Sequence, residues 1–360
     1  MTSSNVPQDD GIVSTVNREA EAGRMPFYEK AIAQNLAPLW RVLHGLVTDQ
    51  PRPNALPAHW SYAAIKPYLM EACDIISTEE AERRVLVLEN PGLRGQSRIT
   101  PSLFAGLQII LPGEIAPAHR HVASALRFIV EGSGAYTAVA GEKTMMEPGD
   151  FVITPSWTWH DHGNPSPNPM VWLDGLDMHV VNILSASFRE SYDGKEQAIT
   201  REQGASFAEA GCNLLPVDYK QETLTSPLFN YPYRISRDAL DRMSRSRDPD
   251  LHHAYKMLYI NPVNGGPAMP TLTTAIQLVP KGFTTSPYKS TAGTVFSVVE
   301  GAGSVVIGDA CFDFEPRDHF VVPSWVPFTL SADQDAVLFS YSDRVIQEKL
   351  DIFREMRGNA

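Results

Sequence analysis

The sequence predicts a mainly β protein: two similar small barrels in one chain, with a helical segment before them and a helix after. Two observations carry this. From Val85 onward, short apolar runs alternate with Gly and Pro turns, the texture of a small antiparallel barrel. Phe128-Ile-Val-Glu-Gly-Ser-Gly134 also returns as Ser297-Val-Val-Glu-Gly-Ala-Gly303. Pro148-Gly-Asp-Phe-Val-Ile-Thr-Pro-Ser-Trp157 returns as Pro316-Arg-Asp-His-Phe-Val-Val-Pro-Ser-Trp325, a repeat roughly 169 residues apart, with an offset expected where Asp318-His319 lengthens the second copy.

Composition agrees with a soluble globular protein: 43% hydrophobic, 20% charged, with 28 Pro and 24 Gly in 360 residues. A net charge of -12 argues against a nucleic-acid surface. Cys73, Cys212 and Cys311 show no metal spacing and no disulfide framework, which points to a reducing cytoplasmic setting. Met1 to Asp10 has no apolar core of a signal peptide, and no apolar run has the length of a membrane span.

In chain order, residues 1 to about 18 read as a mobile tail. Ile32, Leu36, Leu39, Leu43 and Leu46 recur at helical spacing between Phe27 and Val47, with Pro38 as a break, and such a stripe needs a partner to bury it. Ser61 is placed to cap a second helix running to about Ile76, interrupted at Pro67. Strands follow at Val85–Leu88, Leu103–Leu111, Leu126–Glu131, Ala135–Val139, Phe151–Thr154 and Met170–Leu176. The predicted organisation is a tail and helical segment (1–82), a first barrel (83–183), a connection (184–265) with a short helix at Ser236–Met243, a second barrel (266–342) and a C-terminal amphipathic helix (343–360) bearing Ile346, Leu350, Phe353 and Met356.

His119 and His121 share strand parity and so point to one face. His160 comes from a separate strand or loop and completes three imidazoles, a facial site that leaves positions open on a metal. The order Gly113, five residues, His119-x-His121, Gly132, Gly149, five residues, Pro155, four residues, His160, three residues, Asn164 resembles the two-part cupin signature. The carboxylate usual in that signature is missing near Ala125 and Leu126. The metal would keep its full charge, which favours a dianionic chelating ligand. In the second copy Tyr288, Ser290 and Phe328 stand where His119, His121 and His160 stand, so that barrel reads as structural.

Arg127 has the parity of the histidine pair, and a barrel-facing arginine without an acidic neighbour before Glu131 suits a substrate carboxylate. His162 has the parity of His160 and could bind substrate or move a proton. Asp174 and Asp177 interrupt an apolar strand, so at least one is a candidate pocket group. Arg83-Arg84 follow an acidic run, where a solvated charge cluster is the plain reading. Trp157 and Trp159 read as walls or core rather than catalytic groups.

These stretches, with Glu82-Arg-Arg-Val-Leu-Val-Leu-Glu-Asn-Pro-Gly92, Ala105-Gly-Leu-Gln108 and Val322-Pro-Ser-Trp-Val-Pro327, resemble the gentisate 1,2-dioxygenase family and its salicylate and 1-hydroxy-2-naphthoate relatives from about residue 25 onward. The resemblance implies a bicupin fold of two jelly-roll barrels, Fe(II) on His119, His121 and His160 only, and a homotetramer. It implies O2-dependent cleavage between the carboxyl-bearing ring carbon and its hydroxylated neighbour, gentisate (2,5-dihydroxybenzoate) giving maleylpyruvate. It places substrate on Arg83, Gln108, Arg127 and His162, with Asp174 for the 5-hydroxyl, and Arg127 and His162 as the catalytic groups. Phe104 stands where the salicylate enzyme carries tryptophan. Salicylate or 1-hydroxy-2-naphthoate cleavage is the alternative, and a Zn or Mn isomerase or decarboxylase a more distant one. A non-enzymatic cupin is disfavoured by the intact triad.

Overall fold

Turns set the strand boundaries. At Pro148-Gly149-Asp150 the chain reverses through φ +85 at Gly149, where a Cβ would lie 2.6 Å from the Tyr233 ring. The computed structural model describes residues 15–212 and 214–358, and these divide at Pro51 into an N-terminal unit and a unit holding both barrels.

In the N-terminal unit, α1 spans Thr15–Ala33, a 3-10 turn follows Pro38, and α2 spans Leu43–Leu46. The expected tail therefore lies outside the described residues up to residue 14 and is helical from Thr15. Tyr28 is the buried centre of this unit: Trp40 Nε1 donates to its hydroxyl at 3.3 Å and the Arg41 guanidinium lies 4.6 Å from its ring. The single long stripe is not formed, because α1 ends at Ala33 and the turn after it takes Asn35 to φ +57. Ile32, Leu36, Leu39, Leu43 and Leu46 are all exposed.

In the larger unit, β1 (Ala58–Trp60), α3 (Tyr62–Ile75) and α4 (Thr78–Ala81) come first. The first barrel has β2 (Val85–Val87), β3 (Phe104–Ile110), β4 (Ile115–His121), β5 (Ala125–Glu131), β6 (Tyr136–Val139), β7 (Glu142–Met145), β8 (Phe151–Thr154), β9 (His160–Gly163) and β10 (Met170–Leu176). After α5 (Met178–Ile183) come β11 (Arg189–Ser191), β12 (Asn230–Tyr231), α6 (Tyr233–Ser246) and β13 (Tyr255–Leu258). The second barrel runs through β14 (Thr273–Val279), β15 (Tyr288–Ser290), β16 (Thr294–Glu300), β17 (Gly303–Ile307), β18 (Ala310–Phe314), β19 (His319–Val322), β20 (Phe328–Ala332) and β21 (Ala336–Ser342), and then α7 (Arg344–Lys349) and β22 (Glu355–Arg357) follow.

Each barrel is two facing sheets. The first has the orders β12-β8-β5-β10-β3-β2 and β11-β4-β9-β6-β7; the second has β1-β19-β16-β21-β14-β13 and β18-β17-β20-β15-β22. The C-terminus is thus a short helix and then a strand on β15, so Ile346 and Met356 do not share one helix. The two Pro-to-Trp stretches match residue for residue, Phe151 answering His319. The one-residue difference falls after Gly134, since Tyr136 faces Gly163 while Ser304 faces Ser331.

An edge strand preceding each barrel pairs with the other one, and the helix that follows it is capped there. β1 pairs with β19, and β12 with β8. Asp318 Oδ1 accepts from Tyr62 N at 2.8 Å, and Asp150 Oδ1 accepts from Tyr233 N at 2.8 Å. Ser61 makes no side-chain cap on α3; Asp318 on β19's approach does that work instead. Between the barrels a common core stacks Phe128 on Phe339 with ring centroids 4.1 Å apart. Asp318→Ala removes the Tyr62 cap and the His59 contact at 3.0 Å, and is expected to destabilise the protein by about 2 kcal/mol in a chemical denaturation curve.

Candidate metal centre

β4 carries the histidine pair, and its pairing with β9 shifts register between Ala116 and His119, at Pro117, a residue with no N–H to lose from a ladder. Beyond that bulge His119 sits directly opposite His160. The rings of His119, His121 and His160 are 4.4 to 5.2 Å apart, and one nitrogen from each falls within 4.8 Å of the others. Among the described residues this is the one group of three such ligands.

The outer nitrogens fix the rings. His121 Nδ1 lies 2.7 Å from Ala123 O, His160 Nδ1 3.0 Å from Thr158 O, and His119 Nδ1 3.3 Å from Pro117 O. For His121 and His160, an Nδ1–H donating to the carbonyl leaves the Nε2 lone pair for a metal. Burial lowers all three pKa values, His119 to about 3 with help from Arg83 and His121, so the imidazoles are neutral as ligands must be. The donor set therefore fits a divalent metal. Between the pair, Arg120 points out of the barrel, its guanidinium 4.4 and 4.5 Å from the Trp157 and Trp159 rings and paired with Glu190 at 2.6 Å. Both tryptophans thus clamp the outside of β4.

Arg127 is buried on β5. Its Nη1 donates to Thr154 Oγ1 at 2.5 Å, its Nε stands 3.6 Å from Asp174 Oδ1, and that Nε makes no hydrogen bond among the described residues. The register pairs Asp174 with Arg127, so the acidic partner comes from the neighbouring strand β10, not from Glu131, which pairs with Lys66 and Arg317. Trp172 Nε1 also donates to Asp174 at 3.1 Å. Burial outweighs both contacts and pushes the Asp174 carboxyl up to about 6. Asp177 is structural: it accepts from Ser124 N at 2.8 Å and from Thr271 Oγ1 at 2.5 Å.

His162 is buried beside Trp172, with ring centroids 5.3 Å apart. Thr137 Oγ1 bonds its Nδ1, and its Nε2 has no partner among the described residues. Gln108 is buried opposite Trp172 on the same sheet face as Asp174. Arg83 reaches Pro117 O and His119 Nδ1, each at 2.8 Å from Nη2. Arg84 turns away into a buried pair with Glu114, so the two arginines are not one solvated cluster. Thr137, Thr154 and Trp172 complete the site; only cross-strand register brings them in, and single-strand parity carries no sign of it.

In the second barrel the same places hold Tyr288, Ser290 and Phe328, with Tyr288 opposite Phe328 as His119 is opposite His160. Phe296 and Ser340 replace Arg127 and Asp174, and the interior is packed with apolar side chains. His319 faces the inter-barrel side between Trp60 and Ser297.

Residues 106–176 match the family described as Cupin domain. The chain is 56% identical to gentisate 1,2 dioxygenase 1 of Aquipseudomonas alcaligenes, over 93% of this chain and 96% of that one. It is 35% identical to 5-aminosalicylate 1,2-dioxygenase of Comamonas sp, over 91% and 88%. A crystal structure of salicylate 1,2-dioxygenase from Pseudoaminobacter salicylatoxidans in adducts with gentisate superposes with a TM-score of 0.88 at 32% identity, covering 98% of each chain. With that identity over nearly its whole length and a bicupin architecture to match, the chain belongs to the gentisate 1,2-dioxygenase family.

Proposed function

We propose that the chain is an Fe(II)-dependent dioxygenase that opens gentisate with O2 to maleylpyruvate. The observation that carries this reading is a neutral three-histidine triad sharing its pocket with two arginines and a single buried acid, Asp174. When bound at His119, His121 and His160, iron supplies the redox chemistry and the open positions that a chelating hydroxy acid and O2 require. The ring bond between C1 and C2 breaks, and both oxygen atoms enter the product, at the C1 ketone and the C2 carboxyl.

The protein's own groups bind and orient. Arg127 and Arg83 offer guanidinium N–H groups to the substrate carboxylate, and Gln108 lines the same face. Thr137 holds His162 so that Nε2 faces the site, where it can accept a hydrogen bond or take a proton. Asp174 accepts the 5-hydroxyl, a group salicylate lacks, which favours gentisate. Burial of Arg127 and His162 excludes water from the reacting atoms.

Oxygen uptake by iron-loaded protein with gentisate, salicylate and 1-hydroxy-2-naphthoate tests the reading. One O2 consumed per gentisate is the expected result; no uptake with any of the three, or turnover without oxygen, refutes it. The Asp174 carboxyl also predicts a pH signature. Above about 6 it is ionised and accepts the 5-hydroxyl; as pH falls through that value it protonates and the acceptor weakens. The kcat/KM for gentisate should therefore fall on the acid side with a midpoint near 6, a limb that Asp174→Asn abolishes.

The exposed apolar residues Ile32, Leu36, Leu39, Leu43 and Leu46 support self-association, with the homotetramer that the family resemblance implies as the form that sedimentation equilibrium tests. The free cysteines support a cytoplasmic setting, and no described helix is long and apolar enough to cross a membrane.

A further inference from the structure

We propose that Arg83 opposes metal loading by donating to His119 Nδ1, so that this ligand must be released before the triad can act together. The inference rests on the triad being a metal site. Arg83 Nη2 lies 2.8 Å from His119 Nδ1, and arginine only donates. A neutral imidazole that accepts at Nδ1 carries its hydrogen on Nε2, the nitrogen a metal needs bare. The other two ligands show the competent arrangement, with Nδ1 on a carbonyl at 2.7 and 3.0 Å. For His119 the corresponding carbonyl, Pro117 O, is 3.3 Å away, and Arg83 already donates to it at 2.8 Å. One guanidinium thus occupies both the acceptor that His119 should use and the nitrogen that should use it.

Loading requires the His119 hydrogen to move from Nε2 to Nδ1 and the Arg83 contact to break. The guanidinium so released is one that a substrate carboxylate would take. Metal and substrate therefore both favour the released guanidinium, yet removing Arg83 should raise metal affinity and lower substrate affinity, a pair of effects that a purely structural residue would not produce.

The test is a competition titration of metal-free, full-length protein with Co(II) against a chromophoric chelator under anaerobic conditions. Arg83→Met is expected to bind about tenfold more tightly than the wild type, the lower end of what an outer partner of a ligand controls, while its KM for gentisate rises. Arg83→Lys keeps the charge without the planar fork and should also bind more tightly, which separates hydrogen bonding from charge. Arg127→Met removes a neighbouring cation that bonds no ligand, and should leave the affinity near that of the wild type. Unchanged or weaker binding by both Arg83 variants overturns the proposal, as does an equal gain from Arg127→Met. Equal binding by wild type and His119→Ala would instead refute the metal site itself, and this inference with it.

Discussion

His160→Phe is expected to abolish metal binding and lower dioxygenase activity by at least about a thousandfold, roughly 4 kcal/mol of barrier, while the protein stays folded. The second barrel makes the substitution natural. Phe328 occupies the equivalent place there, opposite Tyr288, and that barrel is well packed. A ring of similar size fills the buried space of His160, so loss of function would not be loss of structure. Metal content by elemental analysis and a thermal melt of the metal-free protein check the two halves. Retained stoichiometric metal in the variant would rule out His160 as a ligand.

Arg127→Met is expected to lower kcat/KM for gentisate by on the order of a thousandfold, about 4 kcal/mol if two charge-assisted hydrogen bonds to the carboxylate are lost. The guanidinium is buried, held by Thr154, and keeps an unpartnered Nε. Removing it also strands Asp174 in an apolar setting, so that carboxyl should titrate above its present value of about 6. The double variant with Asp174→Asn, which leaves no stranded charge, should recover stability but not activity. Denaturant midpoints and oxygen uptake measure the two separately. Recovery of activity in the double variant would mean that Arg127 serves only to neutralise Asp174.

What the sequence made legible follows from period and spacing. Strand parity placed His119, His121, Arg127 and His162 on the inner face, and the repeated Pro-to-Trp stretch marked the second barrel. What it concealed lies across strands. Asp174 meets Arg127 only through the β10–β5 register, and Glu131, the nearer acid in sequence, is engaged by Lys66 and Arg317. Likewise Phe353 and Met356 have helical spacing with Leu350, yet the helix ends at Lys349 and pairing of Glu355–Arg357 with β15 draws Met356 into a strand. Local pattern cannot report a partner strand, and edge pairing overrides spacing. The N-terminal stripe failed for another reason: Asn35 takes a left-handed turn that breaks the periodicity that Ile32 and Leu36 otherwise share.

The exchange of β1 and β12 between barrels bears on biosynthesis. β1 emerges from the ribosome early, but its only sheet partner, β19, begins at His319. The metal-bearing barrel in turn waits for β12 at Asn230 to close its edge. The first barrel lacks that edge until Tyr231 has been made, and β1 stays unpaired until β19 has, so the high sequence separation of these contacts makes their formation slow. A ribosome-bound fragment ending before His319 should therefore stay protease-sensitive around Ala58–Trp60, however complete its histidine triad.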